Sequence, residues 1–268
     1  MKYFKAFQLR ASLLAFLFYC APFPGAAWAE AETCTQVKLN GSGVWYPVSM
    51  RQKSQDVLGG VFPELAGDIF QSLDTPVEIG PDMPWNRLLT LLESGRYDVL
   101  AGAYFTKPRQ EKFGVSQAVM TEEVGVFIRK DLSDRPRMLE DLVGLRGVAP
   151  FGASFGEDFD SFAADRLTID RQPVDEPITY MRLLMEDKAD YLVIARQDGA
   201  MMISEADAGD HVVELPWPAA VNTLHFLFSK ATPCIALLER FNAVLEARKA
   251  SGALEALIKL HQVSEGDG

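Results

Sequence analysis

Residues 91–113, LLESGRYDVLAGAYFTKPRQEKF, place Thr106 and Arg109 just beyond the apolar run Tyr97–Ala103. A guanidinium offers a planar fork of donors that matches the two oxygens of a carboxylate. An arginine held rigidly at the mouth of a buried strand therefore suits a fixed anion receptor. The same spacing is also met by a solvated arginine in the first turn of a following helix, because strand exits are usually exposed. These residues alone leave both readings open. Trp45 and Tyr46 lie in a loop rich in Gly and Ser and are hard to place in a core; aromatic residues of this kind line ligand pockets. Trp85 begins an apolar helical face and suits either a core or a pocket. Glu157, Asp158 and His225 could serve acid–base chemistry but form no constellation that demands it. No Gly-x-Ser-x-Gly elbow, phosphate loop or His-Glu-x-x-His occurs. The three histidines are scattered, with no metal-ligand spacing. No metal and no cofactor is expected.

The elements that must hold these residues follow from periodicity. QVKLN (36–40) reads as a first strand, and GSGVWYPVSMRQKSQDVLGG (41–60) as a loop. Phe62, Leu65, Ala66, Ile69, Phe70 and Leu73 form one helical face with Pro63 in its first turn. PVEI is a short strand. A second amphipathic helix (Trp85, Leu88, Leu89, Leu92) closes at Gly95 and leads to the buried strand YDVLAGA. The pattern restarts at VGVFIRK (124–130), with a short helix in DRPRMLEDLVG and a strand in LRGVAPF. A helix follows with Phe155, Phe159 and Phe162 on one side. MRLLMEDKADYLVIA then echoes LLTLLESGRYDVLAGA: leucine helix, tight turn, aspartate, apolar strand. A strand at 224–229, a long helix and a closing helix complete the chain. Strands alternating with helices predict an α/β fold of two similar lobes. Chain passing between them at about 120–124 and 215–222 makes the cleft the natural site.

The first 29 residues read as a secretory signal: Lys2, Lys5 and Arg10, an apolar core, then Ala27-x-Ala29. Pro22, Pro24 and Gly25 interrupt the apolar run, which argues against a membrane span. Cleavage takes Lys plus Arg from 26 to 23 against 37 acids, so the mature chain carries about −14. That balance excludes nucleic-acid and anionic-membrane partners, which want basic patches. Two cysteines remain, Cys34 and Cys234, and an oxidising compartment permits one disulfide between them; two buried thiols are the alternative.

PWNRLLTLLESGRYDVLAGAYFTKPRQEKFGVS resembles the first-lobe signature of the family 3 extracellular solute-binding proteins, receptors for amino-acid ABC importers. LERFNAVLEARKASGALEALIKLH is similar to that family's C-terminal signature, and LVGLRGVAPFGAS to its second-lobe strand and turn. Together these cover most of residues 34–262. The resemblance implies the two-lobed periplasmic-binding-protein type II fold with two hinge crossovers. The lobes would be 30–121 with 217–268, and 122–216. The C-terminal helices would return to the first lobe, bringing Cys234 toward Cys34. By the same resemblance Arg109 grips a ligand carboxylate, with Thr106 and the preceding Gly102 and Tyr104 beside it. Trp45 or Tyr46 stacks on the ligand, Ser154 offers a hydroxyl, and Gly152 allows close backbone approach.

Two departures bear on the ligand. Where the family often has small hydroxyl residues before Thr-x-x-Arg, this chain has Gly102, Ala103 and Tyr104. The family's amino-acid receptors also carry an aspartate after the second-lobe turn to pair with the ligand's ammonium. Five residues beyond Asp190 stands Ala195, followed by Arg196, which joins the candidate site. A buried ammonium without a counter-charge costs several kcal/mol. Either Asp198 or one of Glu157, Asp158 and Asp160 compensates, or the solute is an organic acid or modified amino acid, the preferred expectation. The resemblance thus implies a non-catalytic, monomeric, periplasmic receptor for a small carboxylate, serving a separate membrane permease or sensor. A dehydratase of the same fold is the enzymatic alternative.

Overall fold

Apolar runs and helical faces condense into strands and helices in the order their spacing predicts. The computed structural model describes residues 33–52, 57–171, 173 and 176–263; the export signal expected at 1–29 lies outside them. β1 (Val37–Gly41) leads into a small antiparallel sheet of β2 (Val44–Trp45), β3 (Ser49–Gln52) and β4 (Val57–Gly59). The sequence predicts only a loop there, because strands of two to four residues carry too few alternations to show a period. α1 (Val61–Ser72) buries Phe62, Leu65, Ala66, Ile69 and Phe70. β5 (Val77–Ile79) and α2 (Trp85–Glu93) follow, the latter with Leu88 and Leu92 fully buried. Gly95 ends α2 at φ +74°, a left-handed conformation that glycine adopts without a Cβ clash. Next come β6 (Val99–Tyr104), buried throughout, α3 (Lys107–Lys112) and β7 (Phe113–Val115).

The second half holds β8 (Met120–Arg129), β9 (Arg146–Val148), α4 (Glu157–Arg166), β10 (Thr168–Asp170) and α5 (Thr179–Met185). It continues with β11 (Tyr191–Ala195), α6 (Arg196–Glu205), β12 (Val212–Glu214), β13 (Ala220–Ser229), α7 (Leu238–Ala250) and α8 (Ala253–Val263). The strands run in the order β10-β9-β11-β8-β13-β6-β1-β5, with β12 on β8 and β7 on β13. β5, β1 and β6 are parallel, as are β10, β9 and β11. The long antiparallel strands β8 and β13 join the two groups. Met120–Val124 pairs with Ala220–Leu224. Beyond that shared segment β8 pairs with β11 and β13 with β6. This is a two-lobed α/β arrangement with two crossings.

The echo noticed in the sequence has a structural cause. Asp98 and Asp190 each open a buried strand and accept a backbone N–H from the neighbouring strand, Lys38 and Arg146 respectively, both at 2.8 Å. A buried carboxylate needs such donors, and the helix–turn–strand unit supplies them twice. Around β13, Phe62, Phe70, Phe226, Phe228 and Phe241 interlock with ring centroids 4.7–6.3 Å apart. Each such side chain contributes roughly 1.5–3 kcal/mol on burial. α7 thereby packs onto the β13–β6 sheet together with α1, and a Cys34–Cys234 disulfide (Cα–Cα 4.7 Å) closes the same region. No helix among the described residues is long and apolar enough to cross a membrane.

Candidate functional site

A cavity of about 610 Å³ opens where Trp45, Trp85, Tyr104 and Arg109 face Phe151, Ser154, Tyr180 and Asp198. Arg109 stands in the first turn of α3. The Thr106 hydroxyl accepts the Arg109 backbone N–H at 3.3 Å, capping that helix. The guanidinium Nη1 donates to the Tyr104 carbonyl at 2.7 Å, and its carbon lies 5.8 Å from the Trp85 ring centroid. Among the described residues that is its only side-chain hydrogen bond, leaving most of its five donors unused at the cavity wall. Burial lowers the Arg109 pKa, while the facing Asp160 carboxylate opposes the shift; a guanidinium stays charged regardless.

Behind this wall lies a buried polar cluster. Trp45 Nε1 donates to both Glu122 oxygens at 3.1 and 3.3 Å, and the Tyr104 hydroxyl donates to Glu122 as well. The Trp45 ring stands edge-on to Tyr104 (5.1 Å, 80°) and to Trp85 (6.4 Å, 85°). Burial pushes the Glu122 carboxyl up to about 7 against the pull of those two hydrogen bonds. Asp198, in the first turn of α6, lines the cavity and accepts the Tyr46 backbone N–H at 2.9 Å. Burial, and then the charge of Glu122, push its carboxyl well above the usual carboxylate range. Burial and Glu122 likewise raise the Tyr104 phenol.

Of the residues singled out in the sequence, Arg109, Tyr104, Trp45, Trp85 and Ser154 line the cavity. Thr106 acts through the α3 cap. Gly102 (φ +91°) lies under Trp45: a Cβ there would come 2.5 Å from Val48 Cγ1 and 3.7 Å from the Trp45 ring. Its smallness serves packing rather than ligand approach. Gly152 lines an adjoining depression with Asp160 and Arg171. The Ser154 hydroxyl is engaged by Asp160, which also accepts the Phe155 N–H at 3.0 Å. Two other candidates, Arg196 and Tyr46, are not among the lining residues. The Arg196 side chain is drawn from the cavity into ion pairs with Glu123 and Glu214. Tyr46 contributes its backbone N–H to Asp198, but its hydroxyl donates to the His261 carbonyl. His225 is held by the Ser116 carbonyl and the Thr223 hydroxyl, both at 2.8 Å, and does not reach the lining. Sequence reasoning misses Glu122. Its signal is the Glu122–Glu123 pair: once β8 starts at Met120, consecutive residues point to opposite faces and one acid must turn inward.

The family model for the bacterial extracellular solute-binding proteins, family 3, matches residues 37–261. The chain belongs to this family. L-cystine-binding protein TcyA of Bacillus subtilis (strain 168) is 24% identical over 110 residues, a match covering 41% of this chain. The match spans 41% of that relative's length. Among solved structures, a histidine kinase sensor domain with similarity to periplasmic binding proteins superposes with TM-score 0.71 at 22% identity. It covers 85% of this chain and 96% of that one. An ancestral amino acid-binding protein, AncCDT-1, a precursor of cyclohexadienyl dehydratase, has TM-score 0.67 at 21% identity over 84% and 94% of the two chains. At these identities the structures show a shared fold, the type II periplasmic-binding-protein fold, and the family is extracellular.

Proposed function

We propose that this chain is a periplasmic receptor that closes on a small carboxylate-bearing solute, an amino acid or organic acid, and delivers it to a separate ABC permease. The observation that carries this reading is Arg109, a half-buried cation with unused donors at the wall of a largely apolar cavity. Such a group is partly desolvated without an internal carboxylate in hydrogen-bond contact, a cost that a ligand anion offsets. The two lobes are taken as 30–121 with 217–268, and 122–216, hinged where β8 and β13 cross. Contacts made from both sides at once favour closure; Tyr46 N–H to Asp198, and Asn222 Nδ2 to the Phe155 carbonyl at 2.8 Å, are of that kind.

Calorimetric titration with a panel of amino acids and organic acids tests the reading. At least one carboxylate binds the protein, and Arg109→Ala weakens it by at least about thirtyfold, as expected for truncating one partner of a buried charge pair. Unchanged affinity in that variant would reject the reading. A cleft enzyme of dehydratase type draws on one specific feature, Asp198, a buried acid in the cavity wall whose carboxyl burial pushes well above the usual carboxylate range. Sustained turnover of cyclohexadienyl acids by the protein, lost in Arg109→Ala, would favour it instead. A sensor partner replaces the permease without changing the ligand chemistry.

A further inference from the structure

Tyr104 separates the two charged ends of the cavity. Its carbonyl takes the Arg109 guanidinium, while its hydroxyl, at the far end of the side chain, donates to Glu122. Asp198 lies toward that far end: it accepts the N–H of Tyr46, the neighbour of the Trp45 that donates to the same Glu122. The charge of Glu122 acts on Asp198, whereas the acid that acts on Arg109 is Asp160. Asp198 is 8% exposed and lines the cavity. Among the described residues its Oδ1 accepts the Tyr46 N–H and its Oδ2 has no partner.

The other acids near the cavity are engaged or peripheral. Asp160 accepts from Ser154 and Phe155 and lies 4.0 Å from Arg171. Asp82 is 61% exposed and pairs with Arg51. Ala195, the last residue of β11, lines the cavity and carries no carboxylate. Much of the remaining lining is apolar, including Trp85, Phe151, Ile194 and Met202.

We infer that the solute's second recognised group is a protonated amine held by Asp198, and that the preferred solutes are amino acids whose amine and carboxylate are separated by several carbons rather than one. This rests on the reading of Arg109 as carboxylate receptor. The intervening methylenes lie on the apolar wall, and the ammonium supplies the partner that keeps a buried aspartate ionised. An α-amino acid keeps its two charges on one carbon. It therefore leaves either Arg109 or Asp198 unmatched, and an unmatched buried polar group is costly.

Calorimetry with pentanoate, 2-aminopentanoate, 5-aminopentanoate and pentylamine, together with shorter and longer ω-amino acids, tests this. An ω-amino acid binds at least about tenfold tighter than both pentanoate and 2-aminopentanoate, the scale of one charge-assisted contact. In Asp198→Asn the affinity ratio of that ω-amino acid to its plain carboxylate falls to near one. If the variant does not fold by circular dichroism, the wild-type ranking decides alone. Tightest binding by 2-aminopentanoate, or a ratio unchanged in Asp198→Asn, overturns the inference. If pentanoate binds and a distal amine adds nothing, the inference fails while the carboxylate receptor stands. If no carboxylate in the series binds, both fall.

Discussion

Glu122 shows how a single side chain makes stability depend on pH. It is 7% exposed, and its carboxyl titrates at about 7 in the fold against an ordinary 4.5. The folded state keeps the proton to higher pH than the unfolded chain does. The contribution of this group is therefore fully present below about pH 4.5 and is lost as pH rises through 7. The span is worth roughly 3 kcal/mol. Glu122→Gln has no charge to bury and also removes one cause of the Asp198 shift. Thermal denaturation of the variant gives a higher Tm than wild type at about pH 8, with the gap closing at about pH 4.5. Equal gaps at both pH values would mean that Glu122 is not the titrating group. This cluster could not be read from the sequence, because Trp45 meets Glu122 across 77 residues and Tyr46 meets Asp198 across 152. The contacts of Arg109, by contrast, are local: Tyr104 and Thr106 lie within five residues of it.

The shortest helix near the site has the most specific duty. α3 spans six residues and positions Arg109 through the Thr106 cap. Thr106→Ala removes the acceptor for the Arg109 N–H and lowers stability by about 1 kcal/mol, the usual value for such a cap. It also weakens carboxylate binding, because the first turn that orients the guanidinium loosens. Urea denaturation and titration together check both effects, and Thr106→Ser restores them; a serine variant no better than alanine would rule out the cap. Long elements were the ones periodicity could find: α1, α2, β6, β11 and α7 each show several repeats of one apolar face. β2, β3 and β4 were not found, and β8 was expected to begin at Val124 rather than Met120. Thr121, Glu122 and Glu123 are polar in succession where β8 pairs with β13, so no apolar pattern marks the start of the strand. The crossing itself is expected at about 120–124; what the sequence hides is that one of its acids, Glu122, turns inward.

At the scale of the whole molecule, the Cys34–Cys234 disulfide and the cavity report on different free energies. The bond closes a loop of 200 residues, joining the segment before β1 to the turn before α7. Removing a bridge of this kind from an exported domain costs about 2–5 kcal/mol, chiefly by enlarging the unfolded ensemble in the chain-entropy model. Neither cysteine lines the cavity, so losing the bond removes none of its lining. The paired variant Cys34→Ser, Cys234→Ser therefore unfolds at a lower temperature than wild type. A saturating carboxylate still raises the stability of both by the same free-energy increment, since that increment depends only on ligand concentration and affinity. Differential scanning calorimetry with and without ligand separates the two quantities. A lower Tm with an equal ligand increment is the expected result. A smaller increment in the variant would mean that the bond, by fixing α7 against the β13–β6 sheet, also sets the geometry of the cleft.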